Sequence, residues 1–141
     1  MIGCRLHRVA GVVVLTFLFD SSAFAADGII VSRGEDTTMF GVCVPSMTVE
    51  NRSTHTIDFF QVDLLVNLAN GHESTVELQS GYRTGVVLPI APGGKATLRQ
   101  HLDLGPSLGL PCSEVKARKI ARIVCEAQGG KDCTAAVKAE P

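Results

Sequence analysis

Between residues 57 and 68 the chain alternates. Phe60, Val62, Leu64, Val66 and Leu68 are apolar and are separated by polar or mixed positions, the period of two that a strand with one buried face requires. Ile57 and Phe59 have the opposite parity, so the inward face must switch near Phe59 and Phe60, as a β-bulge permits. Asn70-Gly71 tolerates positive φ and predicts a tight hairpin turn. The returning strand would then carry Val76 and Leu78 inward and Glu73, Thr75 and Glu77 outward.

The flanking segments are shorter or less regular. Residues 28–32 predict a short edge strand, and residues 40–50, with Cys43, Val44, Met47 and Val49, predict a second that Pro45 restricts to an edge or a bulge. Residues 82–90 form a bent segment whose Pro89 argues against a central strand, and Ala91-Pro92-Gly93-Gly94 is a turn. Ala96, Leu98, Leu102 and Leu104 alternate through residues 95–104 and predict a second amphipathic strand. Residues 105–111 are a loop punctuated by glycine and proline.

Residues 113–125 are ambiguous, since Glu, Lys, Ala and Arg favour a helix. Their apolar positions do not recur every three or four residues, however, and Val115, Ala117, Ala121, Ile123 and Cys125 share one face of a strand. The β-rich ending Ile120-Ala121-Arg122-Ile123-Val124-Cys125 decides for a strand.

The N-terminus changes the picture of where the chain works. Arg5 and Arg8 precede an apolar run over residues 9–19, and Ala23-Phe24-Ala25 supplies small residues around a cleavage point, so residues 1–25 read as a secretory signal peptide. The apolar run is shorter than the ~20 residues a membrane-spanning helix needs. Cys4 precedes the run instead of following it, which argues against a lipoprotein. Residues 26–133 would form one domain and residues 134–141 a flexible tail. Removing Arg5, Arg8 and Asp20 leaves 11 basic against 13 acidic side chains, a net charge of −2 with neutral histidines. That balance argues against nucleic-acid binding or polybasic attachment to a membrane. The expected location is the periplasm or the extracellular space.

Four cysteines remain after cleavage: Cys43, Cys112, Cys125 and Cys133. An even number in a small exported chain predicts two disulfides, and sequence allows three connectivities. Cys125 with Cys133 is favoured, because Gly129-Gly130 lets the intervening segment loop back; Cys43 is then left for Cys112. The pairs lack the close spacing of zinc knuckles, and no Cys-x-x-Cys redox motif is present.

Six or seven short strands separated by turn signals predict an all-β, antiparallel sandwich of the immunoglobulin or fibronectin type III kind. Asn51-x-Ser53, Ile57, the Phe60/Val62/Leu64 alternation, Gly71, and Pro92-Gly93 followed by Ala96 and Leu98 together resemble small bacterial immunoglobulin-like domains of the FxLYD kind, over residues 47–104. The resemblance implies an accessory or adhesion-like module of a cell envelope, not an enzyme.

Candidate chemistry is sparse. His55, His72 and His101 are the histidines left after cleavage, and His55 and His72 fall near opposite ends of the long strand, too far apart to share a site. No hydrolase elbow, metalloprotease motif, phosphate-binding loop or dinucleotide fingerprint is present, and no cofactor is expected. A periplasmic copper carrier is the alternative reading, with Met39, Met47, His55, His72 and His101 as soft donors. Lys116, Arg118 and Arg122 would share the outward face of the last strand and form a basic ladder that could dock an acidic partner or an anionic glycan. The plainer reading, a solvated face that keeps an edge strand from pairing with another sheet, is favoured over it. Asn51-Arg52-Ser53 also formally matches an N-glycosylation acceptor, but a polar turn is the simpler reading. The expected function is therefore non-enzymatic binding of a partner in the envelope or outside the cell.

Overall fold

The structure is a computed structural model that describes residues 28–80, 89–100 and 108–141. The expected signal peptide, Tyr82, Leu102, Leu104 and His101 lie outside the described residues.

The fold is all-β. Its strands are β1 (Ile29–Arg33), β2 (Thr37–Met39), β3 (Val42–Val44), β4 (Ser46–Asn51), β5 (Ile57–Leu68), β6 (Glu73–Gln79), β7 (Lys95–Gln100), β8 (Val115–Ala127), β9 (Lys131–Asp132) and β10 (Val137–Ala139). Eight of these form one curled sheet in the order β10-β1-β4-β7-β6-β5-β8-β9, and β2 and β3 form a separate ribbon. The architecture is therefore more continuous than the expected six- or seven-stranded sandwich. Among the described residues, β6 and β7 join its two halves through Leu78–Gln100 and Gln79–Arg99. The concave side buries Val31, Val49 and Leu98 from one half and Phe60, Val62, Leu64, Val66, Val76 and Leu78 from the other.

β5 and β6 follow the alternation in the sequence. The bulge lies at Asp58, which the β8 register skips between the Ile57–Ala127 and Phe59–Glu126 pairs, so both Ile57 and Phe60 reach the core. The hairpin has a three-residue loop, Ala69-Asn70-Gly71, in which the Gly71 amide donates to the Leu68 carbonyl at 3.0 Å and only Gly71 has positive φ, at 80°. This arrangement, a turn ended by a left-handed glycine, is a tight hairpin turn at the expected place, with positive φ at Gly71 alone of the Asn70-Gly71 pair.

Several expectations are corrected. Residues 40–50 do not form one strand: Phe40 (φ 51°) and Gly41 (φ 81°) turn β2 back onto β3, and Pro45 then separates β3 from β4 in the main sheet. Two consecutive positive φ values are those of a type I′ turn. β1 is not an edge, because β10 pairs with it in parallel, Ile29–Val137 to Val31–Ala139. Hence part of the tail expected to be flexible is a strand. Asn51 is fully buried, and its Nδ2 donates to the carbonyls of His55 (2.8 Å) and Ile90 (2.9 Å), so its amide is engaged and sheltered, which excludes the glycan-acceptor reading in the folded chain.

The two disulfides are Cys43–Cys112 and Cys125–Cys133. The first fastens the β2–β3 ribbon to the Cys112–Glu114 turn, and the second closes the loop around β9.

Candidate functional site

β8 is the longest described strand, and its register explains what happens to the predicted ladder. Its pairing with β5 skips Lys116 between the Asn67–Ala117 and Leu68–Val115 pairs, and skips Ala121 between the Asp63–Arg122 and Leu64–Ile120 pairs. Each bulge reverses side-chain parity. Arg118 is paired with Val66 and Ile120 with Leu64, both fully or almost fully buried, so Arg118 faces the concave side. Arg122 lies opposite Asp63 on the outer face, where its Nε donates to Asp63 Oδ2 at 2.7 Å with the Arg122 side chain 60% exposed. Lys116 stands in the bulge. Lys116, Arg118 and Arg122 therefore do not form one outward ladder.

Arg118 instead reaches Asp36, in the loop between β1 and β2. Its Nη1 donates to Asp36 Oδ1 at 2.7 Å and its Nη2 donates to Oδ2, with the two side chains only 11% and 13% exposed. Asp36 Oδ1 also accepts from the Ser46 amide at 3.2 Å, and Arg33 Nη2 approaches Oδ2 at 3.4 Å. Burial pushes the Asp36 carboxyl up, but the Arg118 hydrogen bonds and charge, aided by the Ser46 amide and Arg33, outweigh it and hold the pKa below the ordinary value. Gly34 makes this loop position possible: a Cβ there would stand 2.4 Å from Ser46 Oγ, a hydroxyl already committed to the Glu35 carbonyl at 2.6 Å.

Beside this ion pair lies the Cys43–Cys112 disulfide. Asp36 and the two sulfurs offer one oxygen and two sulfur atoms within 4.8 Å of one another. In the disulfide the sulfurs are bonded to each other and are not thiolates, and both Asp36 oxygens already accept from Arg118. The cluster is therefore a donor set only after the disulfide is reduced and Asp36 is freed. The copper donors expected from sequence do not assemble: Met47 is in the core, Met39 is on β2, and His55 and His72 are exposed on turns at opposite ends of β5.

Between the two halves of the sheet a cavity of about 550 Å³ opens. Its floor is apolar, with Met47, Leu64 and Ile120, and its rim carries Arg33, Lys116, Lys119 and Glu140. Every residue from Val115 to Ile120 lines it on one side, and Ala139, Glu140 and Pro141 line it on the other. Successive residues of a strand point to opposite faces, so a consecutive run borders a space when the strand's edge faces it. The cavity is thus a seam between β8 and β10, where the curled sheet does not close.

Sequence reasoning missed this site because its parts are far apart in the chain; Asp36 and Arg118 are 82 positions apart. Phe40, at the tip of the ribbon, is 94% exposed, an unusual position for an aromatic residue with positive φ. Among the described residues no helix is long and apolar enough to cross a membrane.

No family model matches the chain, and no curated protein matches it. Among solved structures, the chain is similar to IrmA from Escherichia coli, with a TM-score of 0.53 and 8% identity over 80% of this chain and 91% of that one. The likeness extends to the fold, a β architecture broadly similar to small β-sandwich domains.

Proposed function

We propose that the chain is an exported, non-enzymatic interaction module of the periplasm or extracellular space, a variant of the immunoglobulin-like or fibronectin type III-like sandwich that acts by binding another protein. One observation carries the reading: the sheet leaves an open seam with an apolar floor and a cationic rim, held by a disulfide and a buried ion pair. A rigid concavity of this size, apolar with a few convergent charges, is the kind of surface that binds. The test is a photo-cross-linking residue placed at Ala117 in the seam and, as a control, at Thr97 on β7, in cells of the source organism. A partner-mass adduct from position 117 and none from position 97 is expected. Equal labelling, or no adduct from position 117, would overturn the reading.

A second reading, metal binding, has a named donor set in its favour, Asp36, Cys43 and Cys112. It differs from the histidine and methionine copper site expected from sequence. Because thiolates are required, the reading makes metal affinity conditional on reduction of Cys43–Cys112. Titration with Zn²⁺ or Cu⁺ of the oxidised and reduced protein tests it. Stoichiometric binding by the reduced form, lost in Asp36→Ala, supports a redox-gated metal site; equal behaviour of the two forms removes it.

A further inference from the structure

From the geometry of the seam we infer that the outer edge of β8 is a docking site for an extended, acidic peptide segment of a partner, which adds to the sheet as a further strand. The inference rests on the binding-module reading and names its partner. β8 spans Val115–Ala127, yet on its outer side β9 pairs only with Glu126 and Ala127. Among the described residues no strand covers that edge from Val115 to Val124. Proteins ordinarily protect such edges, because unpaired amides and carbonyls recruit another strand. Here the edge opens onto an apolar-floored cavity.

Three features specify the occupant. The bulges at Lys116 and Ala121 bracket a regular run, Ala117–Ile120, which sets the length available for pairing. Met47, Leu64 and Ile120 below the edge suit apolar residues at alternate positions of the incoming strand, and Lys116 and Lys119 suit carboxylates between them. Arg118 lines the same seam, and its Nε is buried without an acceptor among the described residues, although both Nη atoms are used by Asp36. With that atom closed to an arriving chain, Arg118 walls the seam beside the edge and the incoming strand pairs with the β8 backbone. The same lysines disfavour a second copy of this edge, because two β8 edges would bring like charges together.

The probe is a capped, fluorescent (Val-Glu)₄ peptide, titrated against the full oxidised protein by anisotropy. Saturable binding that weakens with added salt is expected, with a roughly tenfold or greater loss in the Lys116→Glu/Lys119→Glu variant. A peptide N-methylated at alternate residues cannot complete a strand ladder and is expected not to bind, and a (Val-Lys)₄ peptide is expected to bind far less. In amide hydrogen exchange, the (Val-Glu)₄ peptide should protect alternate amides within residues 116–121. No saturable binding at millimolar peptide, equal binding of the N-methylated peptide, indifference to the charge reversal, or protection confined to other strands would each overturn strand addition. The cross-link from position 117 is an independent readout, so it can stand if strand addition fails.

Discussion

Arg118 on β8 and Asp36 on the β1–β2 loop form a bidentate, nearly buried ion pair that ties the two halves of the curled sheet together beside the open seam. Taking away one partner leaves the other charged in a poorly solvated place. Asp36→Asn and Arg118→Met are each expected to lower unfolding stability by about 3 kcal/mol, measured by urea denaturation. The double change Asp36→Leu/Arg118→Met is expected to restore part of the loss, because no unpaired charge remains.

The same pair gives stability a pH dependence of known sign. The Asp36 carboxyl is held below its ordinary value, so its stabilisation is present above the unfolded value of about 3.9 and disappears as pH falls through the folded one. Glu50 behaves alike: hydrogen bonds from Arg52 and Lys95 hold it at about 2. Thermal midpoints are expected to fall as pH drops below about 4, and Asp36→Asn to show a shallower fall.

The disulfides differ in the loop each closes. Cys43–Cys112 spans 69 positions and Cys125–Cys133 spans 8. On loop-entropy grounds the serine pair at Cys43 and Cys112 is expected to cost about 4 kcal/mol, and that at Cys125 and Cys133 about 2.5 kcal/mol. Denaturation of the two double-serine variants measures both. Loss of the first also releases the ribbon that carries Phe40.

Phe40 holds a backbone conformation that L side chains with bulk avoid. Phe40→Asn and Phe40→Gly are expected to stabilise the chain by roughly 1 kcal/mol, because both residues suit a type I′ turn and little packing is lost from a side chain 94% exposed. Urea denaturation of the two variants measures the change.

Asn51 joins segments the sequence leaves separate. Its side chain donates to the His55 and Ile90 carbonyls and accepts from the Ser53 amide and hydroxyl, at distances between 2.7 and 3.1 Å. Asn51→Asp loses both donors and is expected to destabilise by about 2 kcal/mol or more, measured by denaturation.

What was legible in the sequence was local. The alternation of Phe60, Val62, Leu64 and Val66 is imposed by one buried face, and it located β5 directly. Gly129-Gly130 and the short spacing led to Cys125–Cys133, which left Cys43 for Cys112. Bulges carry no residue signature of comparable strength. Lys116 and Ala121 look like ordinary strand residues, yet skipping them turned Arg118 from an outward contact into a buried ion-pair partner. Phe40-Gly41 lacked the asparagine or aspartate that normally announces a type I′ turn, so β2, β3 and β4 merged in the sequence reading. The seam was invisible for a different reason: it is a gap between strands distant in the chain.

Native mass spectrometry under non-reducing conditions, on protein recovered from its own envelope or medium fraction, tests the binding-module reading most directly. The predicted result is a chain beginning at Ala26, about 4 Da lighter than its reduced mass for two disulfides, carrying no stoichiometric metal and found in complex with another protein. A metal-bearing chain in which Cys43 and Cys112 are free thiols would contradict it and transfer the function to the Asp36–Cys43–Cys112 donor set.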